Sequence, residues 1–218
     1  MGNLANNFSD SWEELSYSQK EAAEWNNGSY LLLAGPGSGK TRVLTCRIAR
    51  ILNLSEGSRF RLLCLTFTNK AADEMRRRII DFVPTEENRL FIGTFHSFCA
   101  DILRQHGIHL GIRPNFEIYS QEVDLQAVLF EAEQKVKKEI DTTFTVKALP
   151  VIKRLKSLLI TPERSSDLFS DKSLGLYIAK EYSAYEEELA SMNALDFNSL
   201  IQNAYILFIR YPSIAKRF

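Results

Sequence analysis

The residues of this chain with the plainest chemistry are three glycines, a lysine and a threonine. They close the stretch Leu31–Thr41, LLLAGPGSGKT, where an apolar run empties into a glycine-rich loop ending in Gly39-Lys40-Thr41. A triphosphate tail has to be surrounded by donors at close range. A backbone free of side chains at Gly35, Gly37 and Gly39 can turn its N–H groups inward around a β-phosphate. Lys40 adds a mobile positive charge. Thr41 opens the next helix with its hydroxyl placed for a Mg²⁺ ion bridging the β- and γ-phosphates, and the helix N-terminus contributes roughly half a positive charge. Ala34 stands where the usual pattern has glycine, and Pro36 stiffens the loop. The competing explanation is a glycine-rich turn with no ligand. An apolar strand before the loop and a helix after it, with Val43, Leu44, Ile48, Ile51 and Leu52 at helical spacing, weigh against that explanation.

The elements that must position this loop follow from periodicity. The opening stretch to Asp10 is polar and expected to fray. A short amphipathic helix is expected within Trp12–Trp25, with Ser16 and Ser18 as possible caps. Gln19 within it carries a donor and an acceptor side by side, which match the N7 acceptor and N6 donor of an adenine edge, although an exposed helix glutamine is the commoner case. Strands are expected at Leu31–Ala34, Arg61–Thr66 and Leu90–Thr94. Each is followed by a polar loop and a helix, the second helix running from Lys70 to about Phe82 and the third to about His106. Strand, loop and helix three times over make an α/β fold, a parallel sheet of the P-loop type wrapped by helices, with ligands at the carboxyl ends of the strands. From Gly107 the pattern changes. Phe116–Tyr119 is a short extended piece, Ser120 caps a helix bearing Val123, Leu125, Val128 and Leu129, and helical stretches run to about Met192. Asn198–Phe218 returns to an apolar helical pattern broken at Pro212. The expected organisation is a P-loop domain, residues 1–114 and 194–218, interrupted by a mainly helical insert, residues 115–193.

Composition sets wider bounds. The 218 residues are 45% hydrophobic and 25% charged, ordinary for a globular protein. No apolar run approaches the ~18–20 residues of a membrane span, and the first ten residues lack a signal pattern. A cytoplasmic chain with no membrane partner is expected. Cys46, Cys64 and Cys99 are widely spaced in apolar stretches and read as buried free thiols. His106 and His109 have no further ligand nearby to complete a metal site. Net charge is zero, so composition gives no general argument for nucleic acid. From Gln134 to Arg164, however, Lys135, Lys137, Lys138, Lys147, Lys153, Arg154, Lys156 and Arg164 oppose only Glu139, Asp141 and Glu163. Between Ser165 and Ser199 the balance reverses to acidic. Two solvated helix faces and a phosphate-contacting patch are equally good accounts of the basic stretch.

Gln19, AGPGSGKTRVL (Ala34–Leu44), LTFTNKAADEM (Leu65–Met75), IGTFHSFCADILR (Ile92–Arg104), the Ile152–Glu163 stretch with Lys156, and ALDFNSLI (Ala194–Ile201) together resemble the N-terminal half of UvrD/Rep/PcrA-type superfamily 1 DNA helicases. The order and spacing also match, from about Leu15 to the last residue. The resemblance implies ATP and Mg²⁺ as cofactors and a RecA-like fold with an inserted subdomain. It implies ATP contacts at Gln19, Ala34, Gly35, Gly37, Ser38, Gly39, Lys40, Thr41 and Arg42, with Gln19 on adenine, Thr41 on Mg²⁺ and Arg42 near the base or sugar. It implies DNA contacts at Thr66, Phe67, Thr68, Asn69 and Lys70, with Phe67 close to the bases, and at Thr94, His96 and Ser97. An exposed ring beside short polar donors suits sequence-tolerant strand binding. Phe95, by contrast, is expected in the core.

The implied activity is ATP-driven translocation on single-stranded DNA and unwinding at duplex junctions, 3′ to 5′, in DNA repair or a related pathway. Asp101, Asn198 and Ser199 depart from the family's usual residues. In the family an apolar strand ending in Asp-Glu, the Walker B motif that holds Mg²⁺ and activates water, follows the region resembling Tyr211–Phe218. No such strand occurs in these 218 residues, so the chain is expected to be truncated before that motif, to carry no catalytic residues and to bind without sustained hydrolysis. A non-catalytic nucleotide- and DNA-binding module, and a P-loop enzyme acting on a small phosphate acceptor, are the alternatives from other classes. The polar loops after the second and third strands weigh against the latter.

Overall fold

A computed structural model describes residues 4–55, 60–139 and 147–218. The chain is mixed α/β, mostly helical with two small parallel sheets, and divides into two compact units, Met1–Phe95 and His96–Phe218.

The first unit runs α1 (Leu4–Glu13), α2 (Tyr17–Glu24), α3 (Lys40–Leu54), β1 (Leu62–Thr66), α4 (Asn69–Phe82), a 3₁₀ turn (Pro84–Arg89) and β2 (Leu90–Thr94). β1 and β2 pair in parallel, in register from Leu62 opposite Leu90 to Thr66 opposite Thr94. The crossover between them is α4, which buries Ala72, Met75 and Ile79 against Ile48, Ala49 and Leu52 of α3 and Cys64 and Ile92 of the strands. A second cluster joins Leu15, Ala22 and Ala23 to Val43 and Cys46. Arg47 of α3 donates to the last carbonyls of α2, those of Ala22 (3.5 Å), Ala23 (3.3 Å) and Trp25, so one helix closes the end of the other.

Two expectations fail in this unit. The expected first strand, Leu31–Ala34, is irregular and pairs with no strand among the described residues, and Leu31 and Leu33 are exposed. A run apolar on both faces becomes a strand only with neighbours on both sides, and no described segment lies beside it in a ladder. The three-stranded RecA-like sheet is therefore reduced to the β1–β2 pair. The opening stretch is likewise not frayed where described, because α1 runs from Leu4. Its Phe8 and Trp12 rings lie 5.8 Å apart, and Phe8 meets Phe82 of α4 edge-on at 5.8 Å, which anchors a helix of polar composition.

The second unit contains α5 (Phe95–His106, its first residue closing the first unit), a 3₁₀ turn (Gly107–Leu110), β3 (Glu117–Tyr119), α6 (Glu122–Glu139), α7 (Ala148–Ser157), α8 (Pro162–Ser165), α9 (Lys172–Ser191), β4 (Ala194–Asp196), α10 (Phe197–Arg210) and α11 (Pro212–Ala215). β3 pairs in parallel with β4, Glu117 opposite Ala194 and Tyr119 opposite Asp196, and so clips together the two ends of the helical stretch. Asn193, in the left-handed region (φ 50°), makes the turn into β4, its carbonyl accepting from the Glu117 N–H at 3.0 Å. Leu125, Val128 and Leu129 of α6 pack with Leu149 and Ile152 of α7 and Ile178, Tyr182 and Tyr185 of α9, whereas Val123 faces solvent. Ile102, Leu103, Leu200 and Leu207 form a second cluster. Among the described residues no helix is long and apolar enough to cross a membrane.

Candidate nucleotide site and nucleic-acid face

The loop between Ala34 and Lys40 turns on two glycines in the left-handed region, Gly37 (φ 72°) and Gly39 (φ 81°). Ser38 closes it, its hydroxyl donating to the Gly35 carbonyl at 2.7 Å. Gly39 is the N-cap of α3 and has no side chain to offer, so no side-chain oxygen covers the first N–H groups of that helix. Lys40 Nζ folds back and donates to the carbonyls of Ala34 (3.0 Å) and Gly35 (2.6 Å). A cation lodged in a backbone cradle at an uncapped helix N-terminus is the donor set that phosphate oxygens require. Thr41 follows one residue into α3, exposed at the same end.

Gln19 belongs to this loop by geometry. Ser16 caps α2 by accepting the Gln19 N–H, and Gln19 Oε1 accepts the Ser16 N–H at 2.8 Å, a complete capping box. Gln19 Nε2 then donates across to the Ser38 carbonyl at 3.0 Å. A Cβ on Gly39 would lie 2.9 Å from that amide nitrogen, so a side chain at residue 39 would require the Gln19 amide to shift from Ser38. Arg42 is ion-paired with Glu14, and it also lines, with Ser11, Thr45, Arg78, Asp81 and Phe82, a cleft of about 470 Å³. Burial pushes the Cys46 thiol up, with nearby Arg42 acting in the opposite sense. The sequence reading missed Glu14 altogether and treated Ser16 only as a cap; the S-x-x-Q spacing could have linked it to Gln19.

At the carboxyl end of β1, Thr66 Oγ1 donates to the Thr68 carbonyl at 2.9 Å, and Thr68 Oγ1 caps α4 by accepting the Ala71 N–H at 3.1 Å. Pinned between these two threonines, Phe67 projects with 97% of its surface exposed. Asn69 and Lys70 open α4, both exposed. The register sets Thr94 beside Thr66. Phe95, expected in the core, is 58% exposed, because a helix begins at that residue directly after β2 and turns the side chain out.

In the second unit the opening turn of α5 carries His96 and Ser97. The His96 ring meets that of Phe197 edge-on, centroids 4.9 Å apart at 89°, and burial holds its pKa below the ordinary 6.5. Phe197, 43% exposed at the first position of α10, entered the sequence reading only within the Ala194–Ile201 stretch. Much of the basic stretch is neutralised: Lys135 pairs with Glu188, Lys153 with Glu122, and Lys156 with Glu186 and Asp196. Asp141 and the side chains of Lys137, Lys138 and Glu139 lie outside the described residues. Cys46 and Cys64 are buried free thiols and Cys99 is half-buried. No group of three or more potential metal ligands occurs among the described residues. The sequence's one adjacent Asp-Glu, Asp73-Glu74, stands inside α4, with Glu74 paired to Arg78.

A glycine-rich loop that holds a lysine at a helix head has the form of a P-loop, and an exposed ring stands at a strand end in the same unit. Residues 15–218 match the model of the UvrD/REP helicase N-terminal domain, and the chain belongs to that family. It is similar to the ATP-dependent DNA helicase PcrA of Staphylococcus epidermidis and to PcrA of Staphylococcus aureus, 36% identical to each over 203 residues. That alignment covers 92% of this chain and 27% of either relative, so the chain spans about a quarter of the length of these curated relatives.

Proposed function

We propose that this chain is the N-terminal, nucleotide- and DNA-binding part of an ATP-dependent DNA helicase that couples ATP hydrolysis to 3′ to 5′ movement along single-stranded DNA and unwinding at duplex junctions. The observation that carries this reading is the Lys40 amine inside its own phosphate loop, at the uncapped head of α3. The family membership and the relatives' names support the helicase assignment. In this reading residues 1–114 and 194–218 form the P-loop domain, residues 115–193 its insert, and the protein works in the cytoplasm.

Binding proceeds by exchange. Lys40 leaves the carbonyls of Ala34 and Gly35 and meets phosphate oxygens, while the N–H groups of Gly35 and of residues 37–41 take the phosphates. Thr41 would hold Mg²⁺ through its hydroxyl, and Mg²⁺-ATP, when bound, would supply the free energy of the cycle by its hydrolysis. Gln19 keeps one N–H on Ser38 and offers its second N–H and remaining lone pair to the adenine edge. Arg42 exchanges Glu14 for the base or sugar. On the DNA side Phe67 stacks on a base, with Thr66, Thr68, Asn69, Lys70 and Thr94 near the backbone. His96 and Ser97 contact DNA from α5, and Phe197 joins them because its exposed ring stands against His96.

The chain itself offers no strand-end Asp-Glu to activate water and therefore binds without sustained turnover. Titration with a fluorescent ATP analogue tests the site. Lys40→Ala is expected to weaken binding ~10–100-fold, the loss of charge-assisted hydrogen bonds, with Phe67→Ala leaving it unchanged. Equal affinity in wild type and Lys40→Ala would refute the nucleotide site, and DNA-stimulated turnover abolished by Lys40→Ala would refute the claim of no hydrolysis.

A further inference from the structure

Among the described residues Lys156 is the one lysine that is buried, at 1% exposure. Within the second unit it reaches from α7 to three other elements, and each of its three N–H donors has an acceptor. These are Glu186 of α9, Asp196 Oδ2 of β4 at 2.8 Å and Ser199 Oγ of α10 at 2.6 Å. The Tyr185 ring lies beneath the ammonium, 5.2 Å from Nζ to centroid. Asp196 is filled in turn: Oδ2 also accepts the Tyr185 hydroxyl at 3.0 Å, and Oδ1 accepts the Ser199 N–H at 2.7 Å. Asp196 is the N-cap of α10, so the lysine grips the cap and the third residue of that helix together. A neighbouring strut, Asn198 Nδ2 to the Lys153 carbonyl at 3.3 Å, ties the same turn to the same helix. Between these gripped residues stands Phe197, whose own ring is exposed and meets His96.

We propose that Lys156 is a positioning residue for DNA binding: by fixing the N-terminal turn of α10 from the insert side, it sets the Phe197 ring against His96. The DNA part of this inference rests on the function proposed above; the positioning part does not. A buried ammonium shared among three acceptors on three elements has little freedom to shift. Mere stability would be served as well by apolar side chains of similar volume. What such a replacement lacks is the directional grip on the helix start, and that grip falls on Asp196, one residue before the exposed ring, and on Ser199, two residues after it.

The test is a charge-balanced variant, Lys156→Met with Glu186→Gln, which leaves Asp196 accepting from Tyr185 and Ser199. Its folding is monitored by circular dichroism. The first readout is the ¹³C-labelled imidazole of His96 by NMR, assigned with His96→Asn. The second is affinity for a labelled single-stranded oligonucleotide, with and without Phe197→Ala. The expected result is a folded variant with displaced His96 resonances and a His96 midpoint raised toward 6.5. Oligonucleotide binding is expected to weaken by about tenfold, with no further loss from the paired change in the Phe197→Ala background. Unchanged His96 signals, or an equal loss in the Phe197→Ala background, would overturn the proposal. If the double variant does not fold, Ser199→Ala, which removes one acceptor and no charge, decides by the same His96 readout. If wild-type protein binds no oligonucleotide, the DNA reading fails and the His96 signals still decide the positioning.

Discussion

Glu186 and Asp196 share one lysine and answer its charge differently. Burial alone pushes both carboxyls up. For Asp196 the Lys156 charge and hydrogen bond, the Ser199 N–H and the Tyr185 hydroxyl outweigh burial and hold it below the ordinary 3.8. For Glu186 burial prevails over Lys156, with Asp196 adding to it, and the carboxyl stays above 4.5. A lowered pKa contributes stability that is present above 3.8 and fades as pH falls. A raised one contributes stability that is present below 4.5 and fades as pH rises. Asp196→Asn is therefore expected to cost about 3–5 kcal/mol at pH 7, with the gap to wild type closing below pH 3.8. Glu186→Gln is expected to be neutral or stabilising at pH 7 and without advantage in acid. Urea melts at pH 7 and pH 3.5 check both signs. At this scale the sequence was a good guide wherever backbone chemistry dictates residue type, as at Gly37, Gly39 and Lys40. It was silent about Phe197 and Glu14, whose meaning comes from partners 101 and 28 residues away in sequence, His96 and Arg42.

At the scale of elements, period and capping made α3, α4, α5, β1 and β2 readable to within a residue or so of their ends. The failures share a cause. Leu31–Ala34 has the composition of a buried strand and no ladder, α1 has the composition of a loop and an aromatic anchor, and β4 is three residues long between two helices. In each case a neighbour, or the lack of one, decides the outcome. The basic stretch shows the same dependence. Its residues look like a phosphate patch in one dimension, yet Lys135, Lys153 and Lys156 each face a carboxylate. Lys70 is then the one cation among the residues assigned to DNA, and affinity should fall only shallowly with salt. The slope of log K against log salt is expected to be about −0.7 for single strands, measurable by anisotropy between low and moderate salt. A slope several times steeper would show that the neutralised lysines bind phosphate after all.

For the whole molecule, the Leu31–Leu33 run is the clearest exposed liability. Its leucines are exposed, Leu33 by 83%, and Leu63 of β1 is also exposed. Exposed apolar segments of this kind recruit others like themselves. Light scattering is expected to show concentration-dependent self-association of the chain, relieved by Leu31→Lys with Leu33→Lys. A monodisperse monomer at high concentration would contradict this.

The clip between β3 and β4 carries a consequence of a different kind. It joins residues about 75 positions apart in the chain, so its few ladder bonds cannot offset the entropy of closing so long a loop. The strands must wait for α6, α7 and α9 to assemble and bring their ends together. The clip is then a late event on the folding path. Mutations in it should speed unfolding and leave the refolding rate nearly untouched, whereas those in the helices should slow refolding.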